Sequence, residues 1–180
     1  MILPRFYPIA DTAAWLPRLL LPGVRLVQLR IKERPETVLR AEIARARDLC
    51  AAAGATLVVN DHWQLAIDEG CDFVHLGQED LDTADLPSIR RAGIRLGLST
   101  HDEAELDRAL AAAPDYVAFG PIYPTILKAM RFAPQGLARI AKEIGRQATM
   151  IGYLNAFTMY TVASALAVVF ALFVRGRKAA

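Results

Sequence analysis

Short apolar runs alternate with amphipathic stretches along the first two thirds of the chain. Leu57–Val59 and Phe73–Leu76 are rich in β-branched or aromatic residues and have the length of buried strands, and Phe6–Ala10, Arg25–Ile31, Leu96–Ser99 and Tyr116–Phe119 also read as strands. Between them the spacing predicts helices over Ala13–Leu21, from Arg34–Pro35 to about Ala53, over Trp63–Glu69, over Ala84–Ala92, and from a cap at Thr100 or Asp102 to about Ala113. Pro22–Gly23, Gly54 and Gly93 supply stops. A last amphipathic helix is expected over about Gln135–Ile144. Strand and helix thus alternate with short connections, the order of a parallel sheet built from βα crossovers. Six such units suit part of a (β/α)₈ barrel, which needs about two more. An open doubly wound sheet fits the same pattern.

The polar positions interrupting this pattern carry the candidate chemistry. Leu57–Val59 ends in Asn60–Asp61, and Phe73–Leu76 is followed by Gln78–Glu79–Asp80. Neighbouring parallel strands present these tips at one end, where such folds place their sites. Asp61 and Asp80 would repel each other without a cation. Mg²⁺ removes that cost, because it takes one or two carboxylates together with phosphate oxygens and water. Helix capping uses the same residues, Asp61 before Trp63 and Asp80 or Asp82 before the next helix, and on spacing alone it is the stronger reading.

Gln28, Arg30 and Lys32 share one side of a strand otherwise built for burial. Such a row is costly in a barrel interior unless something pairs with it. A bound polyanion would do so, as would a strand-end ion pair with local carboxylates. Ser99, Thr100 and His101 follow the fifth strand, and a hydroxyl pair at a helix N-terminus suits phosphate or serves as an ordinary cap. His75, within a strand, reads as a satisfied core histidine, and His62 and His101 form no metal set with it. Gly120–Gln135 is a long loop whose Thr125 and Lys128 suit contact with a phosphate, the alternative being an irregular connection with solvated cations.

Composition changes the picture in one place. The 180 residues carry a net charge of +2, too small to argue for nucleic acid. No GxGxxG or GxxxxGK[ST] occurs. Cys50 and Cys71 have no ligand spacing and read as small buried hydrophobes in a reducing compartment. The N-terminus lacks the apolar core of a signal peptide. Mean hydropathy, however, is +0.25, and much of it comes from Gln147–Val174, 28 residues without Asp, Glu, Lys, Arg or His. As a helix at ~1.5 Å per residue this stretch would span roughly 42 Å, against a hydrocarbon core of ~30 Å. It is apolar on all faces, and Gly152/Ala156 and Ala163/Ala167/Ala171 are spaced for close helix packing. The expectation is a membrane-spanning helix over the 146–180 region, the alternative being a buried helix that plugs an incomplete barrel. Basic residues flank both ends, so the charge rule leaves orientation open.

Five motifs together give a sharper reading. QLRIK at 28–32, NDHW at 60–63, VHLGQEDL at 74–81, GLSTHDEAEL at 97–106 and GPIYPT with the following K, M and APQG at 120–136 resemble the thiamine-phosphate synthase family in order and approximate spacing. The resemblance covers about residues 5–145. It implies a truncated TIM (β/α)₈-type barrel with about six βα units, followed by the long hydrophobic helix. It also implies Mg²⁺-dependent transfer of a pyrimidinylmethyl group from hydroxymethylpyrimidine pyrophosphate to the ring nitrogen of hydroxyethylthiazole phosphate. By motif position Gln28, Arg30, Lys32 and Asn60 would hold the donor, and Asp61 and Asp80 would bind Mg²⁺. Ser99 would orient the pyrimidine, and Thr125 and Lys128 would bind phosphate. Arg30, Lys32, Ser99 and Lys128 are the residues expected to carry catalysis.

Two departures stand out. Leu127 occupies a loop position where the family has a hydroxyl, and the two strands that follow in the family, with their phosphate-binding loops, are not found after Ile144. The expectation is therefore an intact donor side and an incomplete acceptor side, in an open barrel or one completed by a second copy. The alternatives are a non-catalytic, membrane-anchored module that binds pyrimidine pyrophosphate, and an inactive gene-fusion remnant. The tail itself weakly resembles the last membrane helix of major facilitator drug-efflux transporters.

Overall fold

A computed structural model describes residues 3–123, 134, 136–139, 141–146, 148 and 159. It divides into two units, Met1–Pro134 and Gln135–Ala180. In the first, β1 (Ile9–Ala10), β2 (Leu26–Leu29), β3 (Thr56–Asn60), β4 (Phe73–Leu76), β5 (Arg95–Thr100) and β6 (Tyr116–Phe119) form one parallel sheet in sequential order. The helices are α1 (Leu16–Leu20), α2 (Glu36–Ala52), α3 (Trp63–Asp68), α4 (Gln78–Thr83), α5 (Leu86–Arg91) and α6 (Glu103–Ala111). Sequential parallel order with a helix after each strand is the arrangement of a (β/α)₈-type barrel, here a six-stranded half-barrel.

Strand parity divides the core into two layers. Val27, Leu29, Leu57, Val59, Val74, Leu76, Leu96 and Leu98 face outward and pack with Ile43, Ala46, Ile89 and Ala109 of the helices. Leu26, Val58 and Phe73 face inward and form a second, smaller cluster with Leu3, Tyr7 and Tyr116. Tyr7 precedes β1 and Tyr116 opens β6, yet their rings meet edge to face with centroids 6.1 Å apart. The sheet is therefore curled, bringing the side chain of Tyr7, just before its first strand, against that of Tyr116 in its last strand across the interior. The Arg95 guanidinium lies 4.5 Å from the Phe73 ring centroid.

Several boundaries differ from the sequence reading, each for a local reason. Only Ile9–Ala10 of the Phe6–Ala10 run pairs as strand, because Pro8 has no N–H to donate, and its carbonyl alone accepts, from Gln28 N. The Ala13–Leu21 helix begins as a 3₁₀ turn, Ala13–Trp15, capped by Thr12. The Ala84–Ala92 helix is shorter, Leu86–Arg91, with Asp85 as its cap. An additional helix, α4, precedes it, because Asp80 reaches back to Gly77 N and stabilises a turn that apolar periodicity does not signal.

Residues 136–139 and 141–146 are helical, in line with the expected last amphipathic helix. Nearly all of the Gln147–Val174 stretch, and with it the expected membrane span, lies outside the described residues. Among the described residues no helix is long and apolar enough to cross a membrane.

Candidate functional site

The C-terminal ends of the strands carry polar side chains on the same inward parity as the apolar cluster below them. Above Leu26 stands Gln28, above Val58 stands Asn60, above Phe73 stands His75, and above Gly97 stands Ser99. Gln28, Asn60 and His75 are buried at 4%, 5% and 7% exposure. The half-barrel thus has an apolar floor at one end and a polar layer towards the other.

A continuous hydrogen-bonded chain runs across this layer. Gln28 Nε2 donates to the Tyr7 hydroxyl at 3.0 Å. The Tyr7 and Tyr116 hydroxyls lie 2.9 Å apart. His75 Nδ1 is 2.6 Å from the Tyr116 hydroxyl, and His75 Nε2 is 2.7 Å from Ser99 Oγ. The imidazole also stacks on the Tyr116 ring, with centroids 5.5 Å apart. Burial raises the Tyr7 and Tyr116 hydroxyls above the ordinary phenol value, so both keep their protons at neutral pH.

His75 is pushed down to about 4, first by burial and also by the Arg30 charge, with Asp80 opposing. A His that stays neutral in the folded state and protonates near 6.5 when unfolded makes the unfolded chain bind more protons between those values. Stability is then full above about pH 6.5 and falls by up to about 3 kcal/mol as pH drops towards 4. Urea unfolding at pH 7.5 and 4.5 checks this. The wild type should lose more stability between the two than His75→Asn does, and equal losses would refute the assignment.

Gly97 makes room for this chain. A Cβ there would overlap the Tyr116 ring and stand 2.6 Å from its hydroxyl. Gly97 pairs with both His75 and Tyr116 in register, so the glycine lets a tyrosine from one neighbouring strand lie over the sheet towards the histidine of the other.

Asp61 and Asp80 meet at the rim. Asp61 has a positive φ of 65°, a left-handed conformation that Asp and Asn tolerate better than most residues. Its carboxyl is raised by burial, by the Asp80 charge and by a hydrogen bond with Asp80, while Lys32 and His62 pull the other way. Two acids this close oppose each other's ionisation, which is why the Asp80 charge raises Asp61. The capping reading is also realised, since Asp80 Oδ2 accepts from Gly77 N at 2.9 Å. The two roles use one side chain.

Among the described residues Arg30 and Lys32 form no ion pair. Ion pairs lie elsewhere, among them those of Arg40, Arg47, Arg91, His101, Arg108 and Arg146. The local carboxylate on which the Lys32 charge acts is Asp61. Gln78 bridges β4 to β5 by donating to the Ser99 carbonyl at 2.7 Å, and its Oε1 is a buried acceptor without a partner.

The hydroxyl pair expected at Ser99–Thr100 is corrected. Strand parity sends Thr100 away from Ser99; it is 1% exposed, and its hydroxyl donates to the Ala118 carbonyl. Asp102, not Thr100, caps α6. His101 is engaged with Glu105, and His62 Nε2 contacts the Ile31 carbonyl. Thr125, Leu127 and Lys128 lie outside the described residues. No group of three or more His, Cys, Asp or Glu converges among the described residues. Cys50 and Cys71 are buried, and burial pushes both thiols up to about 11, which leaves them inert.

Sequence reasoning missed Tyr7, Tyr116, Gly97 and the part played by His75. The available signal was parity: His75 lies two residues after Phe73, as Gln28 lies two after Leu26, and a polar residue at that place on a strand buried on both faces points inward.

Comparison with known proteins places this geometry. The family model for thiamine monophosphate synthase matches residues 3–171. The thiamine-phosphate synthase of Rhizobium etli is 67% identical over 141 residues, covering 78% of this chain and 69% of that protein. That of Klebsiella pneumoniae is 51% identical over 142 residues, covering 79% and 67%. Among solved structures, a thiamine phosphate pyrophosphorylase from Pyrococcus furiosus superimposes with a TM-score of 0.59 at 25% identity, covering 66% of this chain and 61% of that one. The chain thus spans about two thirds of the length of the proteins it matches.

Proposed function

The chain belongs to the thiamine monophosphate synthase family, and from that premise we propose that it joins hydroxymethylpyrimidine pyrophosphate to hydroxyethylthiazole phosphate, with release of pyrophosphate. The observation that carries this reading is the Asp61–Asp80 carboxyl pair beside Lys32, at the rim of an interior lined by Gln28, Asn60, His75 and Ser99. Two carboxyls that face each other are a donor set suited to Mg²⁺, which would relieve their repulsion and take phosphate oxygens as further ligands. Bound there, Mg²⁺ would neutralise charge building up on a departing pyrophosphate.

The protein's own groups do the rest. Arg30 and Lys32, which form no ion pair among the described residues, hold the pyrophosphate oxygens, Arg as a fork and Lys as a point charge. Their charge favours the leaving group most in the transition state, where the carbon–oxygen bond is breaking. The pyrimidine lies over the buried polar layer, with Asn60 and Gln28 on the donor and Ser99 on the ring. The electron-deficient methylene left behind is captured by the thiazole nitrogen. Thr125 and Lys128 are assigned to the phosphates.

Donor binding tests the assignment. Calorimetric titration of the pyrimidine pyrophosphate should give binding that disappears with EDTA. Lys32→Met should raise Kd by about tenfold, in keeping with the loss of one charge-assisted contact. Equal affinity with and without Mg²⁺ would remove the metal from the reading.

For the uncharged stretch at 147–174 the proposal is a membrane helix. The family match runs on to residue 171, whereas the curated relatives align over 141 or 142 residues. Recovery of the full chain in the carbonate-washed membrane fraction would support the anchor, and recovery in the supernatant would refute it.

A further inference from the structure

The buried chain Gln28–Tyr7–Tyr116–His75–Ser99 has a direction, and that direction decides what Ser99 presents to a ligand. Gln28 contacts Tyr7 through its amide nitrogen, which only donates. The Tyr7 oxygen therefore accepts, and its single proton is available for Tyr116 at 2.9 Å. Tyr116 then passes its own proton to His75 Nδ1 at 2.6 Å. A neutral imidazole that accepts at Nδ1 carries its proton on Nε2, which donates to Ser99 Oγ at 2.7 Å. The Ser99 hydroxyl proton is left over. The opposite direction, with Ser99 donating to His75 and His75 to Tyr116, makes Tyr7 accept from both neighbours and leaves its proton without a partner among the described residues. A doubly protonated imidazole would also donate to Tyr116 and leave the Tyr7 proton without a partner among the described residues, so the geometry calls for one proton on each group.

We propose that Gln28, Tyr7, Tyr116 and His75 are positioning residues that hold the Ser99 hydroxyl as a hydrogen-bond donor towards the ligand. Ser99 is half-buried and lies on the inward parity above Gly97, so a bound heteroaromatic ring would meet a donor there. Such a donor is matched by an unprotonated ring nitrogen and mismatched by a ring N–H. The site therefore selects the neutral aminopyrimidine over its ring-protonated form, and a pyrimidine over an analogue whose ring presents N–H at that position. The ligand's identity rests on the proposed function; the chain of hydrogen bonds does not.

The experiment is long-range ¹H–¹⁵N NMR of the histidine side chains in the full chain, with His75→Asn to assign the signal. The wild type should show His75 as a neutral imidazole with Nε2 protonated and Nδ1 unprotonated. In Gln28→Glu at pH 8 the ionised carboxylate can only accept, so the chain should reverse and move the proton to Nδ1. Wild-type His75 protonated on Nδ1 would overturn the proposal without any variant having to fold. An unchanged tautomer in a folded Gln28→Glu protein would overturn it as well. Failure to form product with the Nε2–H tautomer present would count against the proposed function and leave the directed chain supported. The Nδ1–H tautomer in an active protein would do the reverse.

Discussion

Asp80→Asn and Asp61→Asn are each expected to lower product formation by at least about 100-fold at fixed Mg²⁺ while leaving the metal-free fold intact. The two effects separate because the carboxyl pair is poorly placed without a cation. Asp61 is raised by burial and by Asp80, so replacing either acid with a neutral amide relieves repulsion instead of breaking a stabilising pair. Asn at 61 tolerates the φ of 65°. At 80 its amide oxygen still accepts from Gly77 N, so the cap on α4 survives at a cost below about 1 kcal/mol. What each variant loses is a negative charge on a divalent cation. Wild-type protein should therefore gain thermal stability on adding Mg²⁺ with pyrophosphate, by mass action on the folded state. Neither variant should gain any. A variant that keeps the Mg²⁺-dependent shift would show that its carboxylate is not a ligand.

Gly97→Ala is expected to damage fold and site together. Its Cβ would overlap the Tyr116 ring, and Tyr116 has little room to yield, since it also packs on Phe73, Tyr7 and His75. Overpacking of this kind costs about 1–3 kcal/mol. Each buried hydrogen bond broken when the ring moves adds about 1–3 kcal/mol. For a chain of this size that corresponds to a fall in Tm of the order of 10 °C. The double variant Gly97→Ala/Tyr116→Ala should recover part of the loss, because it removes the atoms that clash. A single Gly97→Ala protein as stable as the wild type would mean that Tyr116 does not lie over the glycine.

The same residues show how far the sequence could be read. The alternation of apolar runs and amphipathic stretches carries the succession of strands and helices, because parallel strands buried on both faces leave continuous Val, Leu and Phe runs between helices, but it fits a barrel and a doubly wound sheet alike. The rim was legible for a similar reason: Asn60–Asp61 and Gln78–Asp80 follow strands, and strand ends are where polar groups collect. The interior network was not. Tyr7 and Tyr116 are 109 positions apart, and only the curl of the sheet brings their hydroxyls together. Gly97 gives no sign in sequence that it is a space for a ring on the next strand. Asp80 was weighed as either a cap or a metal ligand, and one carboxylate group offers an oxygen to Gly77 while facing Asp61. Thr100 was grouped with Ser99 by adjacency, but in a strand adjacent residues point to opposite faces.

The central claim is that this chain carries a working Mg²⁺-dependent site for joining the two heterocycles, and product formation measures it most directly. Purified full-length chain is incubated with pyrimidine pyrophosphate, thiazole phosphate and Mg²⁺, and thiamine phosphate and pyrophosphate are quantified against EDTA and Asp80→Asn controls. The account predicts that both products appear in equal amounts in the wild type alone. Folded wild-type protein that binds the donor with Mg²⁺ yet yields no thiamine phosphate above the controls would contradict it.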